Sequence, residues 1–412
     1  MKVILSLSPA YPNVIDLAPK REFKSYLLTD KYDRPWTDDK RLSRIRYSNW
    51  IVWAFILFSI PLIGYINYYL GYKRAVKHDY CLVLEDNFSK LDTSVWNHEV
   101  QVNGFGTGSF DWTTTDPRNA YVDSEGLHIV PILTTDSTPI TSAQILNGDT
   151  GKALLEDCSA SSNSTTGSVI PSVRSARLNT KSKKSITYGR VEVIAKLPSG
   201  DWLWPAIWMM PETDTYGPWP ASGEIDIMES RGNDVLYPKG GKDTFSSTLH
   251  WGPSALTDAY WRTTHSKLLR RTTLAKGFHT YGLEWSEDYL FTYIDNRLQT
   301  VLYMNFKKNM WDFGNFAGAM ENQTLLNDPW SKTGHKNAPF DQKFFLILNV
   351  AVGGRNGYFP DGTGSKPWVD DGTTAGADFY KAKDQWYPTW GKGSDSGMIV
   401  KSVKMWQQGK CS

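Results

Sequence analysis

Two hydrophobic rhythms divide this chain. Residues 50–70, Trp-Ile-Val-Trp-Ala-Phe-Ile-Leu-Phe-Ser-Ile-Pro-Leu-Ile-Gly-Tyr-Ile-Asn-Tyr-Tyr-Leu, carry no formal charge. About 20 apolar residues at 1.5 Å rise cross the hydrocarbon of a bilayer. Trp50 and Trp53 at one end, and Tyr65, Tyr68, Tyr69 and Tyr72 at the other, match interfacial aromatic belts. Pro61 lies mid-span, where a membrane helix tolerates it. A long polar stretch precedes the run and no small-residue cleavage site follows, so it reads as a signal anchor rather than a removable leader. The alternative, a buried helix of a soluble core, conflicts with its length and lack of polar positions. Lys31, Arg34, Lys40, Arg41, Arg44 and Arg46 precede it, against Lys73, Arg74 and Lys77 after it. The positive-inside rule then predicts a single-pass type II membrane protein, with the remainder lumenal or extracellular.

From Cys81 onward the rhythm changes to a period of two, punctuated by Gly, Pro, Asn and Asp turns, which predicts many short strands and an all-β fold. Leu82–Phe88 and Gly126–Pro131 read as early strands. Gly189–Lys196 and Leu290–Asp295 alternate cleanly. Phe344–Val350 is nearly continuous in apolar residues, as for a strand buried between sheets. The Ser-rich stretch 159–168 and the Gly/Asp-rich stretch 361–378 read as loops and candidate cleft walls. The predicted organisation is a disordered cytosolic tail at 1–48, a span through the lipid bilayer at 49–71, a linker at 72–80 and a domain at 81–412.

One strand carries chemistry. Residues 223–230 read Gly-Glu-Ile-Asp-Ile-Met-Glu-Ser. Side chains alternate along a strand, so Glu224 and Asp226 share a face while Ile225 and Ile227 fill the other. The third acid, Glu229, arrives one residue late, behind Met228. A β-bulge at Ile227–Met228 would return it to the face of the other two. Three carboxylates on one face repel one another and add nothing to a core. They suit a reaction in which one acid holds a proton while another is ionised, as in glycosidic bond cleavage. An acidic solvated patch is the plain alternative, and the flanks decide against it.

Those flanks are Tyr188–Pro198 (Tyr-Gly-Arg-Val-Glu-Val-Ile-Ala-Lys-Leu-Pro) and Trp202–Pro211 (Trp-Leu-Trp-Pro-Ala-Ile-Trp-Met-Met-Pro). With Ser175–Lys181, His250-Trp-Gly252, Phe278–Trp285 and Leu348–Gly354, they make residues 82–406 resemble glycoside hydrolase family 16. The resemblance is to its laminarinase-type endo-β-1,3-glucanases, closest to fungal membrane-anchored members. It implies a β-jelly-roll sandwich, the concanavalin A-like lectin and glucanase fold, with a concave glycan-binding cleft. It implies a retaining hydrolase of β-1,3-glucan, including mixed β-1,3/1,4 or β-1,6-branched forms. Glu224 would be nucleophile, Glu229 general acid/base, and Asp226 the residue that tunes them. Transglycosylase branches typically lack the residue inserted at Met228, which favours the glucanase side. The resemblance also implies a substrate-binding shell of Trp219, Trp208 or Trp204, Arg177, His250, Trp251 and Asn349. Where bacterial members carry a Glu-Leu-Gln-Tyr-Tyr-like run before Asn119, this chain has Ser109-Phe-Asp-Trp-Thr113, with Trp112 as a substitute aromatic.

Composition narrows the partners. Of 412 residues, 14% are aromatic, including 18 Trp, and the net charge is +2. That balance offers nothing to nucleic acid or an acidic substrate, while flat indole faces suit both a core and sugar rings. A neutral β-glucan is the expected partner, with cell-wall remodelling, hydrolytic or transglycosylating, as the role. A non-catalytic glucan-recognition protein, or a glucan-processing protein of the secretory pathway, is the alternative. Cys81, Cys158 and Cys411 permit one internal disulfide, with Cys81 pairing Cys158 or Cys411. Glycosylation sequons begin at Asn87, Asn163 and Asn322. The other six His show no metal-ligand spacing, so no cofactor and no catalytic metal is expected. Some relatives hold a structural calcium, but no oxygen-rich loop here matches one.

Overall fold

A computed structural model describes residues 25–412 except 26, 28, 30, 32, 75–77, 148–159, 164, 166 and 412. The chain divides into two compact units, Met1–Lys77 and His78–Ser412. In the first, one helix spans Ser43–Arg74. It is long and apolar enough to cross a membrane, and its apolar run is exposed rather than packed in a core. Two polar side chains in its apolar run turn onto the helix backbone: Ser59 Oγ donates to Phe55 O at 2.5 Å and Asn67 Nδ2 to Ile63 O at 2.8 Å. That arrangement satisfies polar atoms that hydrocarbon cannot. The helix begins at Ser43, inside the stretch expected to be tail.

The second unit is a sandwich of two eight-stranded sheets. One runs, from edge to edge, through Thr300–Asn305, Tyr289–Ile294, His279–Trp285, Gly189–Lys196, Met398–Gln408, Gly126–Ile129 and Ala120–Asp123, with Tyr80–Asp86 also pairing Met398–Gln408. The other runs Thr264–Leu268, Thr244–His250, Glu224–Ser230, Leu203–Pro211, Phe344–Val352, Arg177–Asn179 and Asn97–His98, with Ser185–Ile186 also on Phe344–Val352. Their pairings are antiparallel, which lets each sheet bury one face and leave the other polar. Gly189–Lys196 shows the predicted alternation, with Val191, Val193 and Ala195 fully buried between Arg190, Glu192 and Ile194.

Between the sheets, Ile207, Met209, Ile225, Leu249, Leu346 and Leu348 meet Tyr281, Leu283, Trp285 and Val403 in one apolar cluster. Phe245 packs edge-on against Tyr281 and Trp285 against Phe344, both at 5.5 Å. Phe344–Val352 is buried except at Asn349 and Ala351, which lie on the open face. The stretch 361–378 is ordered by Lys366, whose ammonium donates to Asp361 and Asp370 at 2.5 Å each. Its last part differs from expectation: Ala375–Lys381 is a helix, because Ala375, Ala377, Phe379 and Tyr380 give it a buried side. Cys81 is bonded to Cys411, which selects one of the two pairings. Cys158, the other expected partner, lies outside the described residues.

Candidate active site

The strand Glu224–Ser230 is bulged where the sequence predicts. Against Thr244–His250, Asp226 pairs Thr248 and Glu229 pairs Ser246, so Ile227 and Met228 together oppose Ser247. The same slip appears against Leu203–Pro211, where Asp226 pairs Trp208 and Met228 pairs Ile207. Ile225, Ile227 and Met228 enter the core, and the acids are left on the open face. A residue the sequence reading overlooked holds the bulge. Ser247 Oγ donates to Ile227 O at 2.7 Å and accepts from Thr292 Oγ1 of the opposite sheet at 2.8 Å. Before the strand, Gly223 takes φ +83°, and a Cβ there would meet Pro339 at 3.0 Å. Glycine is required on both counts.

Each acid has its own surroundings. Glu224 Oε2 accepts from Trp219 Nε1 at 2.7 Å. Glu229 Oε1 accepts from Trp204 Nε1 at 3.0 Å. Trp204 stacks on Tyr358 at 3.9 Å with an interplanar angle of 7°, and Arg231 covers that tyrosine at 3.9 Å. Burial pushes the Glu229 carboxyl above the usual range; Glu224's charge adds to this, while His250, Trp204 and Arg231 oppose it. Asp226 is 2% exposed. Burial, then the charges of Glu224 and Glu229, raise it well above an ordinary aspartate.

His250 pairs with Glu224 in register and places Nε2 3.4 Å from Asp226 Oδ2. Its Nδ1 donates to Asp258 Oδ2 at 2.5 Å. Burial alone would lower its pKa, but the Asp258 hydrogen bond and the charges of Glu224, Asp258 and Glu229 win, raising it to about 9. His250 and Asp226 thus both rise: Asp258 sets the imidazolium, while burial and then the charges of Glu224 and Glu229 set Asp226. Glu224, Asp226 and His250 bring potential ligand atoms within 4.8 Å of one another; Trp219 already donates to Glu224 Oε2, while His250 turns Nε2 to Asp226 and Nδ1 to Asp258. The His250 cation supplies the positive charge among these carboxylates.

Towards the other edge, a cross-strand row links the predicted shell. Glu229 pairs Ala206, Ala206 pairs Asn349, and Asn349 pairs Arg177. Trp208 Nε1 donates to Asn349 Oδ1 at 2.7 Å. The Arg177 guanidinium lies 4.6 Å over Trp208 and 4.2 Å over Phe105, and its Nε donates to Glu99 at 2.7 Å. Trp204 and Trp208 therefore share the open face, as the alternation predicts. Trp251 does not. It is fully buried, packed against Phe313 and Phe316, with its Nε1 donating to Thr263 Oγ1 at 2.9 Å. It comes directly after His250, the last residue of the strand, and turns to the opposite side, into the core; the shell expected to include it does not. Trp112 lies 5.0 Å beneath Arg174 in a small separate sheet. Asp258, Tyr358, Arg231, Glu99 and Phe105 come from loops, where no periodic signal marks them.

The profile of glycosyl hydrolases family 16 matches residues 155–334. A beta-1,3-glucan-binding protein of Penaeus monodon is 41% identical over 344 residues, covering 79% of this chain and 90% of that one. Glucan endo-1,3-beta-glucosidase A1 of Niallia circulans is 32% identical over 291 residues, covering 66% of this chain but 34% of its own length. The catalytic domain of an endo-1,3-beta-glucanase (laminarinase) from Thermotoga petrophila superposes with a TM-score of 0.50 at 23% identity, over 81% of this chain and all of that one; this likeness concerns the fold. The bulged acid strand, the jelly-roll sandwich and these similarities agree: the chain belongs to glycosyl hydrolases family 16.

Proposed function

We propose that the protein is a membrane-anchored, retaining, endo-acting hydrolase of β-1,3-glucan. The observation that carries this reading is the bulge that sets Glu224, Asp226 and Glu229 on one open face, with Glu224 held by Trp219, Glu229 by Trp204 and Asp226 3.4 Å from His250. Glu224, oriented by Trp219, attacks the anomeric carbon. Glu229, whose raised pKa keeps its proton at higher pH, gives that proton to the departing oxygen. Asp226, whose protonated form is favoured by burial and then by the charges of Glu224 and Glu229, stands beside Glu224 and leaves the negative charge on the nucleophile. The glycosyl–Glu224 ester is then opened by water, or by a sugar hydroxyl in transglycosylation, with Glu229 taking the proton. Arg177, Asn349, Trp208 and Trp219 bind the glucan. The helix Ser43–Arg74 is the anchor, with residues 81–412 lumenal or extracellular and cell-wall glucan, in a fungal setting, as substrate.

One observation favours a second reading, glucan recognition without turnover: the Penaeus monodon relative bears the name of a glucan-binding protein. The full chain in detergent, incubated with laminarin and with mixed-linkage β-glucan beside Glu224→Gln, separates the two. Hydrolysis predicts shorter products that the variant forms at least about a thousandfold more slowly, roughly 4 kcal/mol of barrier; longer products report transglycosylation. Unchanged polymers that both proteins bind equally would replace the enzyme by the recognition protein.

A further inference from the structure

Aromatic surface is distributed unevenly around the acids. On the Arg177 side the rings are covered: Trp204 is 7% exposed beneath Tyr358, and Trp208 lies under the Arg177 guanidinium. On the His250 side they are open. Trp219 and Tyr260, 41% and 46% exposed, both lie against the imidazole, at 5.5 and 5.3 Å, the tyrosine stacked at 25°. Trp261 follows at 64% exposed, with the Arg262 guanidinium 4.3 Å over one of its faces.

Tyr260 is not a side chain on a loose loop. Asp258 Oδ1 accepts from the backbone N–H groups of Tyr260 and Trp251, both at 3.1 Å, while Oδ2 holds His250. Ala259 N donates to Trp251 O at 2.8 Å, and Ser254 and Thr257 close a capping box at the loop's start. One carboxylate thus fixes Tyr260 relative to His250, and through it to Glu224. An exposed ring held this way loses little freedom on binding, which is what makes a surface aromatic effective.

We infer that Tyr260 is a sugar-stacking platform for β-glucan units that extend past the acids on the side away from Arg177. The inference rests on the glucan reading above and adds a binding position to it. The platform is continuous with the acid site through Trp219 and His250. Its occupant is a neutral pyranose, whose axial C–H face matches an open phenol ring, and no cation is needed to hold it.

The test uses the full chain in detergent carrying Glu224→Gln, titrated calorimetrically with laminaritriose and laminarihexaose. Tyr260→Ser is expected to weaken hexaose binding roughly five- to tenfold and triose binding by less than twofold. Tyr260→Leu keeps an apolar contact on His250 but lacks the flat face, so it should lose the same affinity without risk to folding; Tyr260→Trp should restore it. Equal hexaose affinity in the parent and both Tyr260→Ser and Tyr260→Leu overturns the platform. Failure of the parent to bind either oligosaccharide overturns the glucan reading itself.

Discussion

His250 Nδ1 lies 2.5 Å from Asp258 Oδ2, and this contact fixes the charge at the centre of the site. His250 titrates at about 9 in the fold against about 6.5 in the unfolded chain. A raised histidine adds stability that is full below about pH 6.5 and lost as pH rises through about 9. Unfolding free energy should therefore decline across that window, on the order of 3 kcal/mol. Asp258→Asn should cost roughly 2–4 kcal/mol at pH 6 and flatten the decline. Denaturant titrations at pH 6, 7.5 and 9 measure both; a slope unchanged in the variant contradicts the assignment.

Trp204 makes a separate, pH-resolved prediction. Its indole N–H stabilises the ionised form of Glu229, so it works against the proton that a general acid must carry. Trp204→Phe keeps a ring on Tyr358 but removes the donor. The alkaline limb of the activity profile should move up by roughly half to one pH unit. A limb that stays or moves down would remove Glu229 from the role of acid.

The bulge should be costly to disturb. Met228 is fully buried, so Met228→Ala should destabilise by about 2–5 kcal/mol. Ser247→Ala, which frees the Ile227 carbonyl and the Thr292 hydroxyl, should cost about 1–3 kcal/mol. Because the bulge aims Glu229 rather than Glu224, both variants should lower kcat more than glucan affinity. Equal losses in the two would argue that the whole strand moves.

Arg177 is held by Glu99 and two aromatic faces, a geometry matched to a planar guanidinium. Arg177→Lys should weaken laminarin binding about tenfold, roughly 1.4 kcal/mol, with kcat little changed. Isothermal titration of Glu224→Gln with and without the second substitution checks it.

How much of this was legible in the sequence follows from periodicity. The acid strand, its bulge and the shared face of Trp204 and Trp208 were readable because strand alternation is a local rule. The same rule, applied to the step from His250 to Trp251, would have sent Trp251 to the core; the family likeness pulled it towards the site instead. Asp258 and Tyr260 were hidden because a turn has no repeating pattern, and their meaning comes from the strand they touch. Helix Ala375–Lys381 was masked by the Gly and Asp residues around it, since burial of Phe379 and Tyr380, not propensity, stabilises it.

The bond between Cys81 and Cys411 has a mechanical side. Tyr80–Asp86 is the first strand after the helix Ser43–Arg74 and lies along Met398–Gln408, the last. Tension arriving from an anchored helix would reach that strand at its leading end, and hydrogen bonds loaded from one end yield singly, like a zipper. The disulfide sits at that leading end, where Cys81 faces Gln407. Past the first pair, Tyr80 with Gln408, a force entering there would pass to the final strand through the disulfide, so a pull on the helix would load a closed loop rather than a loose thread.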